Sequence, residues 1–506
     1  MGRLADLPLI VILIGISALA MLVPVAHGLA TGEERIARTF FYAATMTGML
    51  AVLLSLATRR TGFRHPARTQ LVSLLLAYLV LPLIFAVPFQ EAVRATSFLN
   101  AWFEMVSCLT TTGATVYEDT ARLAPTLHLW RALVGWLGGL FTWVVALAVL
   151  APMNLGGFEV GARESAGQGV AVAGSAGFRP RESGSRLMRA VGALGPVYVG
   201  LTALLWLCLI LAGYSGTPAL ILAMSTLSTS GITGTGGLAP GGNALLGEVA
   251  IAVFLLFALS RATFTGLGRP GQIRALRTDH ELRLGLLIVL AVPSLLFLRH
   301  WLGAASFGEE NEIPRALGAL WGAIFTVLSF LTTTGFVSAD WAEARSWSGL
   351  STPGILLAGL AVFGGGVGTT AGGVKLLRVW ALYSQAAREM EKLVHPSSVG
   401  GSGQAARRLR REGAEIAWIF FMLFAMSLAL VSAALALTGI DFENAIVLSV
   451  AALSTTGPLA QAGVESPVEI IGLGRPAKAI LMAAMVLGRM ETLALIALLN
   501  PDSWRS

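Results

Sequence analysis

The sequence predicts an all-α integral membrane protein in which one helical unit occurs four times after an extra N-terminal helix pair. Three observations predict it. Only 12% of the 506 residues are charged and 55% are hydrophobic, about half the charge of a soluble domain. Mean hydropathy is +0.74, which also excludes a disordered chain. Finally, four short apolar stretches each end in a Thr/Ser-rich tetrapeptide closed by glycine.

The elements follow in chain order. A membrane-spanning helix needs about 20 mostly apolar residues. Runs 7–30 and 38–58 supply the extra pair, within 1–60. The first is too long for a signal-peptide core and reads as a retained helix. Four units follow. Runs 69–90 and 127–151 flank the short stretch 95–111 in unit 61–155, and 187–213 and 244–267 flank 216–229 in unit 156–268. Runs 282–303 and 350–393 flank 314–333 in unit 269–395, and 415–438 and 478–499 flank 441–456 in unit 396–506. Stretch 350–393 is too long for one straight span. It contains Gly364, Gly365, Gly366, Gly368, Thr369, Thr370, Gly372 and Gly373. Each helix-interior glycine costs about 1 kcal/mol relative to alanine, so a break in mid-membrane is expected there. The result is ten spans and four short segments.

Charge orients them. Basic residues gather at Arg59, Arg60, Arg64 and Arg68, at Arg163 through Arg189, at Arg269 through Arg283, and at Lys375, Arg378, Arg388, Lys392 and Arg407 through Arg411. Acids occupy the alternate loops: Glu33 and Glu34, Glu118 and Asp119, Glu309 through Glu312, Asp340 and Glu343, Asp441 and Glu443. The positive-inside rule makes the basic loops and both termini cytoplasmic. It also accounts for the net charge of +7 without nucleic acid. Each short segment then starts and ends outside, so it is re-entrant. Cys108, Cys208 and six scattered histidines form no disulfide framework or metal set. A membrane enzyme would need intramembrane His, Asp or Glu clusters, which the apolar runs scarcely offer.

The tetrapeptides end at Gly113, Gly231, Gly335 and Gly457. One copy alone is a helix C-cap; four copies on one side of a membrane are a repeat. Irregular backbone at membrane depth is tolerated where it lines a cavity or is buried in protein. Main-chain carbonyls can replace the hydration shell of a cation there, and glycine lets a carbonyl turn toward the axis. The fold expected is thus four helix–pore loop–helix repeats around a central pore plus two extra N-terminal transmembrane helices. Candidate cation-binding residues are Thr111, Thr112 and Gly113, Ser230, Gly231 and Ile232, Thr333, Thr334, Gly335 and Phe336, and Thr455, Thr456 and Gly457.

The stretches FEMVSCLTTTGATV from Phe103, WRALVGWLGG from Trp130, FTVLSFLTTTGFVSAD from Phe325 and GRMETLALIALL from Gly488 resemble the Trk/Ktr/HKT superfamily of potassium transporters. The likeness is to the Trk-type membrane subunit, and the extra helix pair looks like that branch too. The resemblance implies potassium selectivity from Gly113, Gly231, Gly335 and Gly457. The fourth loop, Ser454-Thr455-Thr456-Gly457-Pro458, departs from it, since members often carry Asn there. It also implies that the glycine-rich run is a gate, that Arg489 sits beneath the filter beside it, and that the chain is a homodimer. The partner implied is a cytosolic nucleotide-binding regulatory ring docked on the basic region 375–411, in a bacterial inner membrane. It implies potassium as the ion handled, no organic cofactor and no enzymatic activity. Rival readings are a sodium- or proton-coupled symporter and the potassium-binding subunit of an ATP-driven pump. Gly366-x-Gly368-x-x-Ala371 mimics a dinucleotide fingerprint, but no strand–helix–strand pattern surrounds it.

Overall fold

In the computed structural model the described residues are 8–58, 66–153, 155, 157–158, 183–234, 236–238, 243–265, 276–303, 312–349, 353–394, 404–463 and 467–490. Regular structure among them is helical throughout. α1 (Leu9–Ala20) and α2 (Leu22–Ala30) form one apolar span, and α3 (Glu34–Ala57) returns beside it. The first unit is α4 (Pro66–Val93), α5 (Phe98–Leu109) and α6 (Pro125–Val145), the last prolonged to Met153 through a π-turn. The second is α7 (Ser183–Leu211), α8 (Gly216–Ser228) and α9 (Ala244–Leu255). The third is α10 (His280–Gly303), α11 (Glu312–Leu331), α12 (Trp341–Ser348), α13 (Pro353–Phe363) and α14 (Leu376–Val394). The fourth is α15 (Gln404–Ala436), α16 (Phe442–Leu453) and α17 (Arg475–Met490).

Among the described residues seven helices are long and apolar enough to cross a membrane, three fewer than the ten runs read from the sequence. Each difference has a physical reason. α9 does not run straight on: a 3-10 turn ends it at Ala258, whose carbonyl accepts the N–H of Gly366 at 2.9 Å. The 350–393 run divides between α13 and α14 at the glycine run, as expected. The final run is described only to Met490, so residues 491–499 of it, Glu491 included, lie outside the described residues, as do Arg59, Arg60, Arg64, Arg163, Arg179, Arg181, Arg269, Arg274, Glu309 and Glu310.

The four short helices lie where the apolar stretches predicted them. α5, α8 and α16 have 12, 13 and 12 residues, too short at 1.5 Å per residue for a core about 30 Å thick. α5 packs between α4 and α6, α8 against α6 and α7, α11 against α10 and α13, and α16 between α15 and α17. Glycines allow the closest approaches. A Cβ on Gly138 would lie 2.1 Å from the Leu109 carbonyl, and one on Gly488 2.2 Å from that of Leu453. The inner helices therefore meet the C-terminal ends of α5 and α16 backbone to backbone.

Burial sorts inner from outer helices. The span Pro125–Met153 is 72% buried, whereas Glu34–Ala57 is 22% buried and exposes Phe41, Tyr42, Met46 and Met49. In lipid that apolar face is the solvated one, so the extra pair is peripheral. One sequence expectation changes: Lys375 and Arg378, counted with a basic docking face, are buried. The Arg378 guanidinium lies 3.6 Å from the Phe420 ring centroid, a cation–π contact.

Candidate functional site

The C-terminal ends of the four short helices share one construction. The N–H of Thr111 donates to Cys108 and that of Thr112 to Ser107; Thr229 and Ser230 repeat this with Thr226 and Ser225. Thr333 and Thr334 do so with Phe330 and Ser329, and Thr455 and Thr456 with Ala452 and Ala451. This is the Schellman cap, in which one residue adopts the left-handed conformation. Here that residue is threonine: φ is +54° at Thr111, +50° at Thr229, +57° at Thr333 and +56° at Thr455. Left-handed backbone costs a β-carbon residue about 1–2 kcal/mol, and a β-branched residue there is an outlier. Behind each turn a hydroxyl pair braces the strained residue. Thr110 meets Thr112 at 2.8 Å, Ser228 meets Ser230 at 3.0 Å, and Thr332 meets Thr334 and Ser454 meets Thr456 at 3.1 Å. The first hydroxyl of each pair also donates to a carbonyl four residues back in its helix.

The turns close into a ring in chain order. A Cβ on Gly113 would stand 1.8 Å from the Ser230 carbonyl, and one on Gly231 2.2 Å from that of Thr334. One on Gly335 would meet Pro458 at 2.9 Å, and one on Gly457 would meet the Ala114 nitrogen at 2.1 Å. Gly113, Gly231 and Gly335 have φ of +75°, +65° and +83°, but Gly457 does not share this conformation. Its N–H donates to the Thr112 carbonyl at 2.6 Å. Pro458, with φ −59° and ψ −14°, turns the chain directly into a short helix after it. Three loops share one backbone and the fourth differs. Ile232 and Phe336, next to the second and third glycines, bury their side chains in the surrounding core.

Beneath the ring lies the segment between α13 and α14. Gly364, Gly368 and Gly373 have φ of +69°, +70° and +73°. The N–H of Gly372 donates to the Thr333 hydroxyl at 2.7 Å, and a Cβ there would lie 2.2 Å from the Ser454 carbonyl. The Thr370 hydroxyl donates to Leu227 at 3.2 Å, the end of α8. Thr369 closes a local turn onto Gly366 at 2.7 Å, and Gly365 and Gly366 pack on the Ala258–Ser260 backbone. The segment therefore touches the second, third and fourth loop units. Arg489 grips it from α17: Nη1 donates to the Thr370 carbonyl at 2.7 Å and Nε to the Thr142 hydroxyl at 2.9 Å. A cavity of about 30 Å³ lies here, lined by Thr142, Gly368, Thr369, Gly372 and Arg489 among others.

Sequence reading overlooked three supports. Glu104 on α5 and Arg131 on α6 form a buried ion pair at 2.7 Å, and the same carboxylate accepts the Val116 N–H at 3.0 Å. Glu248 accepts from Trp321 at 2.9 Å, Ser338 at 2.7 Å and the Ala339 N–H at 2.8 Å. Each carboxylate thus anchors the chain leaving a loop, the first in one case and the third in the other. Thr229 is the third: aligning the four tetrapeptides would have placed it with Thr111, Thr333 and Thr455. Near the mouth, Glu118 accepts the Ile470 N–H at 3.2 Å. Burial raises its carboxyl above the usual range, opposed by that N–H and reinforced by Glu469.

Four re-entrant turns joined in a ring at the centre of a helical membrane protein define a fourfold pore-loop protein. A family model described as a cation transport protein matches residues 265–504. The Trk system potassium uptake protein TrkH of Salmonella typhimurium is 29% identical over 471 residues, 92% of both chains. The Trk system potassium uptake protein TrkI of Halomonas elongata is 28% identical over 434 residues, 84% of this chain and 80% of its own. The crystal structure of the potassium transporter TrkH from Vibrio parahaemolyticus superposes with a TM-score of 0.79 at 25% identity, covering both chains fully. The chain is thus similar, over nearly its whole length, to Trk system potassium uptake proteins, which are transporters, and to the fold of a TrkH potassium transporter.

Proposed function

We propose that the chain takes up potassium across the cell membrane, using the four loops as a selectivity filter and the glycine-rich segment as its gate. The observation that carries this is the ring: each loop touches the next, so main-chain oxygens of Thr111, Thr112, Ser230, Thr333, Thr334, Thr455 and Thr456 are gathered at one place. In three loops residues of positive φ flank Thr112, Ser230 and Thr334 on both sides. Main-chain carbonyls replace the water around a monovalent cation. Arg489 and the 364–375 segment lie across the path below. An arginine there opposes cation passage until the segment moves. On this reading the units 61–155, 156–268, 269–395 and 396–506 each contribute one loop, and 1–60 is accessory.

The same reading makes the chain one half of a homodimer on a cytosolic nucleotide-binding ring, with both termini cytoplasmic. α14 supports a docked partner, since it leaves Tyr383, Met390, Leu393 and Val394 exposed past the gate segment. The test is growth of potassium-uptake-deficient cells at low potassium with the native chain or Gly335→Ser. Gly335 has φ +83° and Pro458 in contact, so any side chain there distorts the ring. The native chain is expected to rescue growth and the variant to lose its preference for potassium over sodium. Equal rescue with unchanged ion preference would overturn the filter assignment.

A further inference from the structure

Arg489 grips the gate segment at Thr370. Three residues earlier the segment is held from a different element. Glu281, in the first turn of α10, is buried, and its Oε1 accepts the backbone N–H of Val367 at 2.8 Å. Val367 itself is 1% exposed and packs with Ala146 and Phe158. We propose that Glu281 is a positioning residue for the gate, its acceptor oxygen the counterpart of the Arg489 donors, so that the segment is held under the ring by two different elements. The inference rests on the gate reading above.

The chemistry of the two grips is complementary. A peptide segment offers carbonyls to a donor and N–H groups to an acceptor, and one side chain of each kind reaches it here. Arg489 takes the Thr370 carbonyl and Glu281 takes the Val367 N–H, three residues apart. The grips come from different units, α17 and α10, so relative movement of these helices draws on both. Asp279, Arg261 and Lys375 supply the charges acting on Glu281. Arg261 stacks over Phe158 at 5.1 Å, and the Lys375 ammonium donates to the Ala371 carbonyl within the same segment. The N–H groups of Val374, Lys375 and Leu376 donate to Val362, Phe363 and Gly365, so the two ends of the segment are pinned to each other. Glu281 and Arg489 act on the stretch between them.

The experiment is rubidium uptake into proteoliposomes per mole of folded full-length protein, comparing wild type with Glu281→Ala, Glu281→Gln, Glu281→Asp and Arg489→Ala. Glu281→Ala is expected to raise uptake several-fold, as is Arg489→Ala. Glu281→Gln, which keeps an acceptor oxygen at the same reach, is expected to stay near wild type. Glu281→Asp, one methylene shorter, is expected to fall between. A purely structural role would lower uptake and would not be rescued by Gln. If Arg489→Ala raises uptake and Glu281→Ala does not, the positioning role is overturned and the gate reading stands. If neither raises uptake, the gate reading falls and takes this role with it. Should Glu281→Ala fail to fold, Glu281→Asp decides, and wild-type uptake overturns the assignment.

Discussion

Threonine occupies the left-handed cap position four times, where glycine would sit without strain. At Thr333 the hydroxyl receives the Gly372 N–H and so ties the third loop to the glycine-rich segment, whereas those of Thr111 and Thr455 are buried without a hydrogen bond. Glycine is reserved for positions where another backbone touches. Gly231→Ala would put a Cβ 2.2 Å from the Thr334 carbonyl at a φ of +65°. We expect it to reduce rubidium uptake by about tenfold or more, equivalent to at least ~1.4 kcal/mol, and to narrow the rubidium-over-sodium preference measured by tracer competition. Replacing Arg131 by Leu would strand the Glu104 carboxylate in a dry site. Loss of one partner from a buried pair costs about 3–5 kcal/mol, so thermal unfolding in detergent should shift downward clearly. The double variant Glu104→Gln/Arg131→Leu should regain part of that loss; no difference between the single and double variants would show that the pair carries no coupling.

The short helices and the broken helix were legible in the sequence because both leave compositional traces. Apolar stretches of 14 to 20 residues ending in a Thr/Ser-rich tetrapeptide closed by glycine are short for a span, and a run of six glycines in ten residues cannot stay helical. The break after α9 left no such trace. Residues 255–259, Leu-Leu-Phe-Ala-Leu, are strong helix formers, and the helix ends there because Ala258 bonds Gly366 from a distant part of the chain. Glu104, Glu248 and Glu281 were equally hard to place. A lone carboxylate in an apolar run does not reveal whether it faces a pore or a backbone N–H; in this fold all three hold backbone N–H groups. The gate segment gives the element-scale expectation. Gly372→Ala would set a Cβ 2.2 Å from the Ser454 carbonyl and 2.4 Å from the Thr455 hydroxyl. It should push the segment off the ring and raise rubidium uptake; uptake at or below wild type would mean that the segment does not obstruct the path in this position.

At the scale of the whole molecule, a fourfold plan is carried out with one asymmetric member. The repeat was visible from four tetrapeptides alone, yet their spelling did not show that Pro458 would redirect the fourth turn or that Gly457 would donate its N–H to Thr112. That bond occupies one of the carbonyls in the ring, so the fourth loop contributes differently from the other three. The peripheral extra pair is tied in through His27, whose ring nitrogens meet Thr126 at 2.7 Å and Thr217 at 3.4 Å. It therefore spans the first and second units on the side where α6 and α8 begin. Every part of this account depends on ions passing through the ring where the four turns meet. Anomalous diffraction from crystals soaked in thallium or rubidium tests that most directly. Density is expected on the axis among the carbonyls of Ser230, Thr334 and Thr456, displaced in competition by potassium; anomalous density only elsewhere, or none at saturating ion in the ring, would contradict ion passage there.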